Sequence, residues 1–300
     1  MRYPFPEVID SSIMGVYKSC PQKVYKEYIA NWKSKGPSIH LHAGGAFARG
    51  MEVARLSFYV DGLSADAAVA AGRDALAEFY GDFDAGSHAK SLSGMIKAFD
   101  FYFANYPLAQ DHPPIILPGG RKGIEFSFAE PLPILHPETG NPLIYCGRMD
   151  AILSAFGGQF ICDEKTTTSL GPTWGKQWDL RAQFTGYVWG CGKAGIHIDG
   201  ALIRGVSILK TKNETQQAIS YRPEFHVERW YEELLEWVEE MIGCWKKDKW
   251  RHNLDHACAD YGGCAFRQVC TYKEEAAVSH LETFFERRFW NPLTRTETLL

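Results

Sequence analysis

Residues 147–166, with the sequence GRMDAILSAFGGQFICDEKT, are the most informative stretch of the chain. Two largely apolar runs flank Gly157-Gly158, a pattern typical of a β-hairpin. We expect strands over 143–156 and 159–167, with the two glycines as the turn residues. In that register Asp150 lies directly opposite Lys165, and Asp163 projects from the same face because side chains alternate along a strand.

Two carboxylates and a lysine on one small patch suit the hydrolysis of phosphodiester bonds. Asp150 and Asp163, together with the backbone carbonyl of Glu164, can supply hard oxygen ligands to Mg²⁺ or Mn²⁺. Such an ion polarises a phosphoryl oxygen and lowers the pKa of bound water, while Lys165 offsets the charge that develops on the phosphate. The alternative is an ordinary hairpin whose acids and lysine pair across the strands, since short motifs often occur by chance.

Further candidate residues flank the hairpin. Gln183 and Tyr187 are four residues apart on a predicted helix over 178–190, so they are neighbours on one face. Glu125 lies on a predicted strand over 123–129, and it either reaches the metal patch or lies on the surface. Basic and aromatic residues around the hairpin could contact DNA, by base stacking or at phosphates, or could equally belong to the core or the solvated surface: Arg148, Trp174, Lys176, Trp178, Arg181 and Lys210.

The order of these motifs resembles a known family. Gly-x-x-Asp, then Asp-x-Lys, then Gln-x-x-x-Tyr is similar to the RecB-like branch of the PD-(D/E)XK nucleases, which includes AddB, Cas4-type and many phage exonucleases. The resemblance implies an α/β, restriction-endonuclease-like core with a central mixed β-sheet flanked by helices. It matches Asp150 and Asp163 to the metal-binding acids, Lys165 to the catalytic lysine, and Gln183 and Tyr187 to the family's helical motif.

One position of the chain departs from the pattern of this family. Members of the family often carry a histidine that binds the metal on an early helix, in the pattern Gly-x-x-x-His-x-x-x-Glu. In this chain residues 44–52 place Ala48 where that histidine would stand. Glu52, His42 and Glu125 are the possible substitutes.

Four of the eight cysteines predict a separate cofactor site. Cys258, Cys264 and Cys270 are spaced C-x5-C-x5-C, and Cys20 is the best candidate for a fourth ligand. Thiolates alone suit an iron–sulfur cluster or zinc, and the C-x2-C pairs usual for zinc are absent. The family resemblance implies a [4Fe–4S] cluster that joins the two ends of the chain. The other four cysteines are interpreted as small apolar residues.

Composition sets the remaining expectations. We expect a single nuclease domain over the 300 residues: a mainly helical part over 1–110, the catalytic sheet over 120–222, and a long helix, cysteine segment and tail over 223–300. The net charge of −4 argues against a uniformly basic nucleic-acid-binding protein but not against a nuclease with local basic patches. No apolar run is long enough to span a membrane, and the first residues do not resemble a signal peptide, so we expect a cytoplasmic protein, in a bacterial host cell if phage-encoded.

The sequence therefore predicts a metal-dependent DNA exonuclease or end-processing nuclease for recombination, repair or phage DNA metabolism. Its expected substrates are the ends of linear DNA or single strands, and a recombination or annealing protein is a possible partner. The alternative is a non-catalytic DNA-binding or scaffold protein with the same fold, for which the missing histidine is the argument.

Overall fold

The computed structural model describes residues 3–36, 38–259, 263–294 and 296–299. The chain forms two compact units, each built from separated stretches of sequence. Unit 1 combines Met1–Gly36, Ala129–Gly147 and Glu228–Leu300, and unit 2 combines Pro37–Phe128 and Arg148–Val227.

The described residues contain nine strands and nine α-helices. The strands are β1 (Val8–Ile9), β2 (Trp32–Ser34), β3 (Ile124–Leu135), β4 (Pro142–Ala155), β5 (Gly158–Thr167), β6 (Gly200–Ile208), β7 (Asn213–Tyr221), β8 (Phe285–Asn291) and β9 (Thr296–Leu299). The helices are α1 (Ser11–Ser19), α2 (Pro21–Val24), α3 (Ile39–Tyr59), α4 (Ala65–Tyr80), α5 (Leu92–Asn105), α6 (Ala182–Lys193), α7 (Glu224–Lys247), α8 (His256–Ala259) and α9 (Glu274–Phe284).

Unit 2 contains a mixed sheet flanked by helices. Strand β5 pairs antiparallel with β4 and parallel with β6, and β6 pairs antiparallel with β7. Every residue of β6 is buried, as expected for an inner strand covered on both faces. The predicted mixed α/β fold with a central mixed sheet is therefore confirmed.

Helices α3, α4 and α5 pack on one face of this sheet. Their buried side chains form one core cluster with Val206 and Ile208 of β6. A Cβ atom at Gly50 of α3 would lie 2.9 Å from the carbonyl oxygen of Gly72 on α4, and a Cβ at Gly72 would lie 2.6 Å from that of Gly50. The two helices can approach this closely only because both residues lack a side chain.

The predicted turn of the β4–β5 hairpin is wrong by one residue. The turn residues are Phe156 and Gly157, with φ of 51° and 80°, as a two-residue turn of type I′ requires. Gly158 instead begins β5, and a Cβ atom there would lie 2.5 Å from the carboxylate of Asp199, which accepts a hydrogen bond from the Gln159 amide at 2.8 Å. The second glycine thus makes room for Asp199.

This shift changes which residues face each other across the hairpin. Ala151 pairs with Cys162, so the next step of the ladder sets Asp150 beside Asp163 and not opposite Lys165 as predicted. The side chains of Asp163 and Lys165 still share a face because they are two residues apart. The predicted patch therefore forms, with its two acids closer together than expected.

Unit 1 has its own sheet elements and core. Strand β1 pairs parallel with the first part of β4, and β2, β8 and β9 form a three-stranded antiparallel sheet that includes the C-terminal tail. The long helix α7 contributes Trp230, which contacts Tyr145, and Trp245, which contacts Phe5. None of the described helices is long and apolar enough to cross a membrane.

Candidate catalytic site and cysteine site

The candidate catalytic site lies in unit 2, on the hairpin of β4 and β5. Asp150 on β4 accepts a hydrogen bond at 3.3 Å from the backbone N–H of Glu164. Asp163 on β5 is only 6% exposed and forms an ion pair with Lys165. The hairpin thus brings together the three residues that the sequence assigned to catalysis.

The electrostatics of this patch favour a bound cation. Burial and then the negative charge of Asp163 raise the pKa of Asp150 well above its ordinary value, and Lys165 only partly opposes this. The buried Oδ1 of Asp163 is held in the ion pair with Lys165 and has no other polar partner among the described residues. A divalent ion would stabilise two carboxylates that repel each other.

The side chain of Glu164 points to the opposite face of the sheet. There its carboxylate forms an ion pair with Arg55 of α3, and it accepts hydrogen bonds from Tyr102 of α5 at 2.9 Å and from the Cys162 thiol at 3.1 Å. Burial would raise the pKa of Glu164, but Arg55 outweighs it and the pKa falls to about 2. Only the backbone carbonyl of Glu164, and not its carboxylate, can serve the metal role predicted for this residue.

A second buried ion pair continues this network behind the catalytic strand. Arg204 of β6 contacts the Asp111 carboxylate through two hydrogen bonds of 2.6 Å and the Tyr102 hydroxyl at 3.3 Å. Tyr102 therefore links Arg204 to Glu164, which Arg55 contacts directly. The network fixes the face of β5 that does not carry the catalytic residues.

Glu125 extends the acidic patch from β3. Its backbone has a φ of 51°, which is rare outside glycine, and its carboxylate forms an ion pair with Arg148. Its charge is among those that raise the pKa of Asp150. Strained backbone of this kind is often found at functional sites. Glu125 thus lies within electrostatic range of Asp150, as expected for a metal-site residue.

The possible substitutes for the missing histidine differ in position, and Arg148 shows which of them lie near the site. Burial would lower the pKa of Arg148, but the nearby charge of Glu125 raises it above its ordinary value. Glu52 acts on Arg148 in the same direction, so it lies near the same arginine. His42 points elsewhere: its ring stacks on Phe83 at 4.3 Å and its Nε2 lies 2.9 Å from the carbonyl oxygen of Tyr80. Glu52 and Glu125 are therefore the better placed substitutes.

Helix α6 lies on the catalytic face of β5. The Nζ atom of Lys165 lies 6.0 Å from the ring centre of Phe184, a cation–π contact. The side chains of Gln183 and Tyr187 contact each other through a hydrogen bond of 2.9 Å from the amide to the hydroxyl. The predicted helical pair therefore forms, on the helix that contacts Lys165.

The two tryptophans for which the sequence left open DNA contact or the core belong to the core. Trp174 and Trp178 are 6% and 8% exposed, and their rings contact each other at 5.4 Å. Trp174 also packs over Gly205, where a Cβ atom would lie 2.5 Å from its ring. Of the two alternatives, the structure therefore favours the core: the two side chains are buried, and Trp174 lies beside β6.

The four predicted cysteine ligands converge in unit 1. Cys20, between α1 and α2, accepts a hydrogen bond of 3.5 Å from the Asn253 amide, and the Cys264 amide donates to the Cys258 carbonyl at 3.1 Å. All four cysteines line one cavity of about 20 Å³. None of the eight cysteines, all of which lie in the described part of the chain, forms a disulfide bond.

A buried lysine faces these cysteines, and the sequence analysis did not identify it. Lys26 is 7% exposed and lines the same cavity. Burial lowers its pKa, whereas the charges of Cys270 and Cys20 raise it in part. Lys26 lies in the π-helical turn Tyr25–Ile29. Its spacing of six residues from Cys20 is a sequence signal that could have revealed it.

Neither site is arranged as a finished metal centre. Across the described residues, no group of three or more His, Cys, Asp or Glu side chains is positioned to hold a metal ion. For Mg²⁺ this is compatible with the hairpin, because that ion commonly binds through one or two carboxylates and keeps several waters. The cysteine cavity of about 20 Å³ brings the four thiols to one place without arranging them as a finished ligand set.

No protein-family model and no curated protein matches the chain. Among solved structures, it is similar to a protein from Eubacterium rectale described as a candidate exonuclease, with 12% identity, a TM-score of 0.49, and coverage of 85% of this chain and 88% of that one. It is also similar to the protein SSO0001, with 12% identity, a TM-score of 0.33, and coverage of 80% and 77%. Neither similarity is close enough to assign a function.

Proposed function

We propose that the chain is a metal-dependent nuclease of the PD-(D/E)XK type that hydrolyses phosphodiester bonds in DNA. The observation that carries the proposal is the patch of Asp150, Asp163 and Lys165 on one face of the β4–β5 hairpin, where the buried Asp163 carboxylate pairs with Lys165 beside a second acid. An ordinary surface hairpin does not explain a carboxylate that is buried beside a second acid.

Each residue of the site has a distinct task in this mechanism. Asp150, Asp163 and the carbonyl of Glu164 would hold Mg²⁺ or Mn²⁺, which supplies the positive charge that activates water and polarises the phosphate. Lys165, held between Asp163 and the ring of Phe184, stabilises the negative charge that develops on the phosphate. Gln183 and Tyr187 sit on the same helix as Phe184 and position this side of the site.

The order of the motifs supports the finer assignment. We propose a RecB-like exonuclease or end-processing enzyme, acting on linear or single-stranded DNA in recombination, repair or phage DNA metabolism. We also propose that the protein acts in the cytoplasm with a recombination or annealing protein as its partner. Glu125, and with it Glu52, takes the place of the family histidine at Ala48.

Digestion of end-labelled linear and closed circular DNA with Mg²⁺ or Mn²⁺ tests the proposal. We expect the wild type to degrade the linear DNA, and Asp163→Asn and Lys165→Ala to lose at least about a hundredfold in rate, as expected for groups that stabilise the transition state. Asp61→Asn, an exposed acid of unit 2, and Lys247→Ala, an exposed lysine of unit 1, are the matched controls. DNA binding without any digestion by the wild type would favour the scaffold alternative.

For the second site we propose that Cys20, Cys258, Cys264 and Cys270 hold a [4Fe–4S] cluster. Four thiols around one cavity are a suitable ligand set, and the buried cation of Lys26 would stabilise an anionic, thiolate-bound group. Anaerobic purification followed by iron, sulfide and zinc analysis tests this. We expect about four irons per chain and a brown colour. One zinc per chain and no iron would instead show that the four cysteines form a structural zinc site.

A further inference from the structure

A cavity of about 390 Å³ lies in unit 2, apart from the residues assigned to catalysis. Its walls come from three stretches: the turn around 86–91, the first two turns of α5, and the connection 209–213 between β6 and β7. The volume is sufficient for a phosphate group with part of the sugar attached to it.

The lining of this cavity is basic and polar. It includes Lys97, Lys210 and Lys212 together with serine, threonine and asparagine side chains, and none of its residues, all of which are described, is acidic. Lys212 pairs with Glu214 at 2.7 Å, whereas Lys97 and Lys210 have no ion pair within the described part of the chain. In a protein with a net charge of −4, such a concentration of unneutralised lysines attracts an anion.

The cavity lies at the end of the sheet where the catalytic strand also ends. Strands β5 and β6 are parallel, with Lys165 paired to Gly205 and Thr167 to Ser207. The connection that lines the cavity starts directly after β6, at the carboxyl edge shared with β5. Ligands of α/β sheets commonly bind beyond this edge.

A buried lysine ties the cavity wall to the catalytic strand. Lys90 is 2% exposed, and its Nζ atom donates to the hydroxyl of Thr166 at 3.2 Å and to its carbonyl oxygen at 3.4 Å. No carboxylate contacts Lys90 in the described structure, and burial lowers its pKa. Its neighbours Ala89 and Ser91 line the cavity. A buried cation without a counter-ion is unfavourable, and an anion in the adjacent cavity would offset it.

From this arrangement we infer that the cavity is a phosphate-binding subsite for the nucleic-acid strand whose cleavage occurs at Asp150 and Asp163. This inference rests on the proposed nuclease function and deepens it. The shared chemistry is a phosphate oxyanion, from either a terminal phosphate or an internal phosphodiester. Lys97 and Lys210 supply the direct contacts, and Lys90 holds the wall against β5.

Binding of fluorescein-labelled single-stranded oligonucleotides in EDTA, followed by anisotropy, tests the inference without any cleavage. The strands carry a 5′-phosphate, a 3′-phosphate or only hydroxyl ends. We compare the wild type with the double variant Lys97→Ala/Lys210→Ala and with Lys247→Ala/Lys249→Ala, which removes two exposed lysines of unit 1. Thermal unfolding of each protein shows whether the variants remain folded, and Lys97→Gln/Lys210→Gln serves if the alanine pair unfolds.

We expect the affinity of the cavity variant to fall on the order of tenfold near 0.1 M salt, because each lost phosphate contact lowers the salt dependence by about 0.7 for a single strand. A loss for all three strands assigns the subsite to an internal phosphodiester, and a loss for one phosphorylated end assigns it to that end. An affinity and salt dependence equal to those of the wild type, or a loss matched by the control pair, would overturn the inference.

If the wild type binds and digests DNA while the cavity variant binds normally, only the subsite fails. If the variant loses affinity but the wild type never digests DNA, only the hydrolytic function fails.

Discussion

Arg55 of α3 and Glu164 of β5 form a buried ion pair directly behind the residues that we assign to catalysis. The two side chains are 4% and 2% exposed, and Glu164 lies between Asp163 and Lys165 in sequence. The pair anchors the strand from the face opposite to the site. The positions of Asp163 and Lys165 therefore depend on an ion pair on the opposite face of the strand.

Removal of one partner of this pair should destabilise the protein strongly. Arg55→Met leaves the Glu164 carboxylate buried without its cation, and breaking such a pair typically costs about 3–5 kcal/mol. Urea unfolding of the metal-free protein measures the loss. The double variant Arg55→Met/Glu164→Gln should regain a large part of it, and a double variant as unstable as the single one would contradict the role of the unpaired charge.

The same pair predicts how stability depends on acid. Because the pKa of Glu164 is lowered from 4.5 to about 2, its ionised form favours the folded state. This contribution is complete above about pH 4.5 and is lost as the pH falls towards 2. The free energy of unfolding of the wild type relative to Glu164→Gln should therefore decrease over this range. A difference that does not change between pH 5 and 2.5 would show that Glu164 is not stabilised by its partners.

Asp150 should show the opposite behaviour in the absence of metal. Burial and Asp163 raise its pKa, so ionisation of Asp150 destabilises the fold as the pH rises through that raised value. At neutral pH in EDTA we expect Asp150→Asn to be more stable than the wild type by about 0.5–2 kcal/mol. Added Mn²⁺ should raise the melting temperature of the wild type but not that of the variant. Equal stabilisation of both proteins by Mn²⁺ would exclude Asp150 as a ligand.

Lys26 should determine the redox properties of the cysteine site. Lys26→Met removes a positive charge beside the thiolates, so the reduced and more negative cluster is less stabilised and its reduction potential should fall. Lys26→Arg keeps the charge and is the control. A redox titration followed by electron paramagnetic resonance measures the potentials, and iron analysis shows whether loading is retained. An unchanged potential in a fully loaded Lys26→Met protein would contradict this role.

The sequence was sufficient for the composition of the catalytic patch. Period-two alternation places Asp163 and Lys165 on one face regardless of the turn, and the helical spacing of Gln183 and Tyr187 brings them into contact. The pairing register of β4 and β5 was not predictable from the sequence. Gly157-Gly158 suggested that both glycines form the turn, but Gly158 lies in β5 and is needed there for another reason. That reason is the carboxylate of Asp199, forty residues later in the chain, which no local pattern reveals.

The burial of several charged side chains also could not be predicted from local sequence patterns. Arg55, Lys90 and Lys26 look like exposed helix or loop residues in the sequence, and only the folded chain shows what each of them contacts. The three-stranded sheet of unit 1 was missed for a similar reason. Strand β2 is only three residues long, and its partner β8 lies about 250 residues away.

The alternation of Asp163, Glu164 and Lys165 between two occupied faces has a consequence for how this chain can vary. Insertion or deletion of one residue within β5 would turn Glu164 towards the proposed metal site and would bury Asp163 and Lys165 against Arg55. Both faces would then carry the wrong charges at once. Changes in length should therefore be tolerated at the Phe156–Gly157 tip of the hairpin, whereas the strand beyond it must keep its length.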